Sequence, residues 1–193
     1  MKSVLTIASG NTKKVSEISE MLDVLDLDVR KQPDHLNVEE TGETYFENAL
    51  LKAKAAASLT KTWTLADDSG LEVDFLNGRP GIYSARYARS NFEKIDKLIK
   101  ELGDTPYRSA RFISCMVLCN PKGELVKDST GICWGEILKR PKYDNGEFES
   151  IFWVKEAKSV YGQLSQSQLS KLGSRGKAAR NLSPYLKKEI GIN

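Results

Sequence analysis

Short apolar runs alternate with stretches of helical period from the first residues onward, and this alternation constrains the fold more than any other feature of the chain. Val4-Leu5-Thr6-Ile7-Ala8 is a compact apolar strand running into Ser9-Gly10-Asn11-Thr12-Lys13-Lys14, after which Val15, Ile18, Leu22 and Leu25 recur at helical spacing. A second helical stretch sets Phe46, Ala49, Leu50, Ala53 and Ala57 on one face, and Trp63-Thr64-Leu65-Ala66 follows as another buried strand. Ser90-Asn91-Phe92-Glu93 has the form of a capping box ahead of Phe92, Ile95, Leu98, Ile99 and Leu102, with Gly103 as the stop. Residues 109–119 and 124–137 read as strands joined by the turn Asn120-Pro121-Lys122-Gly123. Helices alternating with strands, then a hairpin, predict an α/β fold with a mixed β-sheet. No repeat, low-complexity tract or Pro/Ser-rich linker breaks the chain, so residues 1–193 are expected to form a single domain.

Chemistry concentrates where strands end. Ala66-Asp67-Asp68-Ser69-Gly70 places adjacent acids after an apolar run and before a Ser-Gly pair that reads as a sharp turn. Successive side chains of an extended backbone point to opposite faces, so one of Asp67 and Asp68 faces a ligand while the other turns into the scaffold. The pair by itself fits an Asx-turn as well as a metal-assisted catalytic site. Residues 9–14 form a small-residue turn leading into a helix, where free N–H groups, the positive dipole end, Lys13 and Lys14 suit an anion; an ordinary capped helix is the alternative. The spacing of a P-loop is absent. Glu39-Glu40-Thr41-Gly42-Glu43 precedes the second helix, which carries Lys52 and Lys54. Loop carboxylates are commonly solvated, but Mg²⁺ is held through one or two carboxylates plus substrate phosphates, so one Glu here and one Asp of the 67–68 pair would suffice.

Taken together, Ser9–Lys14, Glu39–Gly42 with Phe46–Ala53, and Ala66–Tyr87 resemble the inosine triphosphate pyrophosphatase family, which hydrolyses non-standard purine nucleoside triphosphates. The resemblance is dense over residues 4–87, continues thinly through Ala110-Arg111-Phe112 and residues 131–136, and returns in Ser174-Arg175-Gly176-Lys177-Ala178. It implies an elongated mixed sheet flanked by helices, two lobes with the active site in the cleft between them, and a homodimer. It further implies cleavage between the α and β phosphates to a nucleoside monophosphate and pyrophosphate. The residues from Ser9 and Gly10 through Asn11, Thr12, Lys13 and Lys14 would hold the triphosphate, with Lys52 approaching the same phosphates and Ser69 touching substrate. Glu39 or Glu40 with Asp68 would hold Mg²⁺, and Asp68 would also orient or deprotonate the attacking water. Arg175 would reach the nucleotide from the C-terminal segment.

Departures from the family gather at one end of the substrate. Its Gly-Phe-Gly-Tyr-Asp-Pro-Ile-Phe run corresponds here to Asn145-Gly146-Glu147-Phe148-Glu149-Ser150-Ile151-Phe152, and Leu169 and Ser174 stand where a Lys and a His are usual. Phe148 is left as a stacking face, with Glu149 and Ser174 as hydrogen-bonding groups for the base. The resemblance therefore implies catalysis retained and base choice weakened or shifted. A protein of the same fold that binds nucleotide or a partner without turnover is the competing class, and the retention of the phosphate-end acids and lysines together favours the enzyme.

Composition narrows the remaining classes. His35 is the single histidine and lies in a polar loop segment, which leaves a Ser-His-Asp triad and His-ligated zinc without their residues. Cys115, Cys119 and Cys133 lack Cys-x-x-Cys spacing and read as buried, inert thiols of a reducing compartment. A net charge of +3 does not by itself imply nucleic acid, and the basic residues Lys171, Arg175, Lys177, Arg180, Lys187 and Lys188 lack interleaved aromatics, so no stable nucleic-acid partner is expected. No run reaches the roughly 18 apolar residues that span a bilayer. The chain opens directly on a strand, and a cytoplasmic setting is expected.

Overall fold

The computed structural model describes residues 2–191. Strands β1 (Ser3–Ile7), β2 (Leu27–Lys31), β3 (Trp63–Val73), β4 (Ser109–Cys119), β5 (Leu125–Ile137), β6 (Phe152–Val154) and β7 (Ser159–Val160) form one sheet in the order β2-β1-β3-β4-β5-β6-β7. Strand β1 is parallel to β2 and β3, with Leu5 opposite Trp63 and Ile7 opposite Leu65, while β6 is antiparallel to β5 and β7. The helices are α1 (Thr12–Leu22), α2 (Tyr45–Thr60), α3 (Asn91–Leu102), α4 (Gln166–Leu172) and α5 (Ser174–Ile190). The fold is thus the mixed α/β sheet that the strand and helix pattern predicts. No helix among the described residues is long and apolar enough to cross a membrane.

Local chemistry sets the element boundaries. Asn11 caps α1, its side chain accepting from the N–H groups of Lys13 and Lys14, and Thr44 with Glu47 forms a reciprocal capping box on α2. The Ser90/Glu93 capping box and the Gly103 stop of α3 form as the sequence predicts. The β4–β5 connection is held by Asn120, whose side chain accepts from Lys122 N–H and Glu124 N–H at 3.0 Å each, with Gly123 at φ +80°. One expectation is overturned: Ser69-Gly70 is not a sharp turn. Strand β3 runs through it to Val73, because Leu71 and Val73 resume the apolar alternation beyond the glycine and are fully buried.

The chain divides into two compact units, the first comprising residues up to 68, 114–131 and from 175 onward, the second residues 69–113 and 132–174. In the first, Leu5, Ile7, Leu65, Met116 and Leu118 pack with Ile18 and Leu22 of α1 and Ala178, Leu182 and Leu186 of α5. On the opposite strand faces, Ala8, Ala66, Cys115, Val117 and Cys119 pack against Ala49, Ala53, Ala56 and Ala57 of α2. The second unit has its own core, in which Leu71, Val73, Ala110, Cys133, Ile137 and Phe152 pack with Ile95, Leu98 and Leu102 of α3. All three cysteines are free and buried, and His35 is exposed.

Candidate active site

Alternation along β3 decides what each of its two acids meets. Asp67 lies two residues beyond Leu65, on the strand face covered by α1 and α5, and Asp68 lies two beyond Ala66, on the face covered by α2. Both carboxylates are nearly sealed from solvent, Asp67 at 1% and Asp68 at 6% exposure. Burial of an unpaired charge is costly, so each needs cations. Asp67 is paired with two and Asp68 with one.

Asp67 Oδ2 accepts from Lys14 Nζ at 3.1 Å and from Arg175 Nε at 3.2 Å, and Arg175 Nη1 donates to Glu17 Oε2 at 2.7 Å. Lys14 and Glu17 stand three residues apart on α1, hence on neighbouring parts of its surface. Burial works against ionised Asp67, yet Lys14, then Arg175 and Lys52, hold its carboxyl down at about 2. Burial pulls the Lys14 ammonium below its ordinary value against the opposing attraction of Asp67.

Asp68 Oδ1 accepts from Lys52 Nζ at 2.9 Å, and the same ammonium donates to Glu40 Oε1 at 2.8 Å and to the backbone carbonyl of Asp67 at 3.0 Å. Asn48, one helical turn before Lys52 on α2, directs its Nδ2 to Asp68 Oδ2 at 3.5 Å. Burial raises the Asp68 carboxyl above its ordinary value, Lys52 countering and Glu40 adding to the rise. Burial also opposes charge on Lys52, but Asp68 and Glu40 outweigh it and raise the ammonium.

Four carboxylates, Glu17, Glu40, Asp67 and Asp68, thus face three cations, Lys14, Lys52 and Arg175. Glu40 and Asp68 converge on one ammonium, which makes them an oxygen-donor pair able to take a hard cation. Among the described residues no group of three or more His, Cys, Asp or Glu side chains forms a metal site on its own. The remaining ligands of a bound ion would have to be substrate oxygens and water.

A family model described as the Ham1 family matches residues 5–185. The chain belongs to the Ham1 family. It is 45% identical over 186 residues to the dITP/XTP pyrophosphatase of a Synechococcus species, covering 96% of this chain and 90% of that protein. Over 187 residues it is 40% identical to the dITP/XTP pyrophosphatase of a Nostoc species, covering 96% and 95%. The solved structure of the Staphylococcus aureus Ham1 protein superposes with a TM-score of 0.84 at 37% identity, covering 97% of this chain and all of that one.

Against this Ham1 framework, the residues singled out in the sequence fall into two groups. Lys14, Glu40, Lys52, Asp68 and Arg175 meet in the first unit, where Ser9, Gly10 and the cap Asn11 lead into α1 and Thr12 and Lys13 open it. Ser9 Oγ accepts from Asn11 N–H at 3.2 Å, and Gly10 has open space on its side-chain face. The two glutamates differ in placement: Glu40 reaches Lys52, whereas the Glu39 side chain is exposed. Ser69, Phe148, Glu149 and Ser174 belong to the second unit. The ring of Phe148 does not stand out as a stacking face; it is 7% exposed in that unit's core, 6.1 Å from the Tyr87 ring. Sequence reading missed Glu17 and Asn48 as members of the cluster, although each sits within one helical turn of a lysine it did select.

Proposed function

We propose that the protein is a Mg²⁺-dependent pyrophosphatase that hydrolyses non-standard purine nucleoside triphosphates between the α and β phosphates. The observation that carries this reading is the convergence of Glu40, Lys52 and Asp68 beside Lys14, Asp67 and Arg175 around one point of β3. Relatives 40–45% identical over nearly the whole chain are named dITP/XTP pyrophosphatases, which supports the same substrate class. The reading also includes a homodimer and a cytoplasmic setting.

The chain's own residues have distinct tasks in this scheme. Lys14, Arg175 and the N-terminal turn of α1 would take the triphosphate charge, Lys14 acting as a point charge and the helix end through its dipole. Asp68 would hold the attacking water and accept its proton, and a raised carboxyl suits that task better than an ordinary one. Glu40 and Asp68 would hold Mg²⁺, whose contribution when bound is to neutralise phosphate charge and polarise the phosphoryl oxygens. Lys52, released from sole charge of these two carboxylates, would be available to the phosphates. Substrate choice would be set by residues around Glu149 and Ser174, since Phe148 is buried and the aromatic usual at position 146 is a glycine.

Lys14→Ala is expected to weaken triphosphate binding strongly and nucleoside binding hardly at all, which calorimetric titration of a triphosphate and its nucleoside would check. Equal losses for both ligands would place Lys14 elsewhere. The function itself is tested by pyrophosphate release from a panel of nucleoside triphosphates with and without Mg²⁺. Release should depend on Mg²⁺ and extend to several bases, because a base carbonyl left without its partner costs about 1–3 kcal/mol, or one to two decades of discrimination. A preference of about a thousandfold for inosine and xanthosine over adenine and guanine would exceed that and contradict the weakened base choice. Binding without release from any triphosphate would make the protein a nucleotide-binding module.

A further inference from the structure

We infer that Asn48 is a positioning residue that locks the acid-bearing 39–42 loop to the carboxylate of Asp68. The inference rests on the reading of Glu40 and Asp68 as the pair that holds Mg²⁺ and of Asp68 as the group that handles the water. Asn48 is fully buried, and a buried amide is retained where its donors and acceptor are used. Its Oδ1 accepts from Gly42 N–H at 2.8 Å, and its Nδ2 points to Asp68 Oδ2 at 3.5 Å. One side chain therefore touches both elements that contribute a carboxylate.

The arrangement gives Asp68 a distinct partner for each oxygen, Lys52 on Oδ1 and Asn48 on Oδ2, and so fixes the rotation of the carboxylate. Lys52 makes the companion link, from Glu40 to Asp68. Residues four apart on a helix share a face, so α2 presents both groups from one rigid element. Lys52 would leave or share these carboxylates if a metal ion were held there, because an ammonium and a metal ion compete for the same oxygens. Asn48 carries no charge and has no reason to leave. It keeps the Glu40 loop and Asp68 in register through that exchange. Gly42 completes the lock: a Cβ there would lie 2.8 Å from Asn48 Oδ1 and 2.6 Å from Glu47 Cβ, so this residue must be glycine for the loop to close on the amide.

The test compares wild type with Asn48→Leu, which keeps the branching at Cγ and removes both hydrogen bonds, and with Gly42→Ala, which leaves the amide in place and pushes the loop off it. Three quantities are read on folded protein: kcat and KM for a triphosphate substrate, the Mg²⁺ concentration for half-maximal rate, and the affinity for Mn²⁺ alone measured without nucleotide. Both variants should lose about 10- to 100-fold in kcat and in Mn²⁺ affinity, the range seen when the partner of a metal-holding group is removed, while KM changes little. A merely structural role would lower the melting temperature and leave kcat and Mn²⁺ affinity of the folded protein within twofold of wild type, and that result would overturn the inference. Should Asn48→Leu not fold, Gly42→Ala carries the same comparison. A wild-type protein without Mg²⁺-dependent turnover would instead remove the functional reading on which the inference stands.

Discussion

Asp68→Asn should abolish pyrophosphate release while leaving the protein folded and as stable as wild type. The substitution removes the group that would take the proton of the attacking water together with one of the two carboxylates for Mg²⁺, and losses of this kind amount to at least about a thousandfold in rate. Stability should change little, because two effects oppose each other: burial raises the Asp68 carboxyl, so losing its charge relieves the fold, while Lys52 loses the carboxylate that does most to raise its ammonium. Lys52 retains Glu40 as its ion-pair partner at 2.8 Å in the variant. Steady-state rates at saturating Mg²⁺ and a thermal melt check both halves, and near wild-type turnover would remove Asp68 from its role.

Asp67→Asn should show the opposite division, with a larger loss of stability and a smaller loss of rate. Asp67 is held at about 2, below its ordinary 3.8, because Lys14 and Arg175 outweigh its burial. A carboxyl depressed on folding stabilises the native state above its unfolded value and loses that contribution as pH falls through its folded value. The shift corresponds to about 2 kcal/mol at neutral pH. Denaturant unfolding should therefore show a deficit of that order at pH 7, narrowing as the pH is lowered from about 4 toward 2. KM for the triphosphate should rise, since Lys14 and Arg175 lose the anchor that they share. A deficit that stays constant across this range would show that the charge of Asp67 is not what stabilises the fold.

The contrast between these two neighbours was legible in the sequence because strand alternation is a local property: one acid had to face each side of β3. Which acid faced which side was not legible, because the faces are distinguished only by the helices that cover them, α1 and α5 beside Leu65 and α2 beside Ala66. The α/β pattern, the Ser90 capping box and the 120–123 turn were legible for the same reason, each being carried by a few adjacent residues. Ser69-Gly70 misled because glycine punctuates most chains, whereas here the strand is sustained by the buried Leu71 and Val73 beyond it.

Glu17 and Asn48 were not legible, because their importance lies in contacts to residues far along the chain. Glu17 is significant only through Arg175, and Asn48 through Gly42 and Asp68. Glu39 and Glu40 could not be separated by composition; the backbone of their loop sends one to solvent and the other to Lys52. Its place in the family's aromatic run marks Phe148 as a stacking face, and what that run could not show is that its ring packs in the core beside Tyr87. An aromatic can serve packing as readily as recognition, and only the tertiary contacts separate the two.

In the proposed reaction this site directs water to break the bond between the α and β phosphates. Its most direct test is to incubate the wild-type protein with inosine triphosphate and Mg²⁺ and to identify the products by ³¹P NMR. Inosine monophosphate and pyrophosphate should form in equal amounts, with neither formed by Asp68→Asn; orthophosphate with inosine diphosphate, or products that persist in that variant, would rule this reaction out.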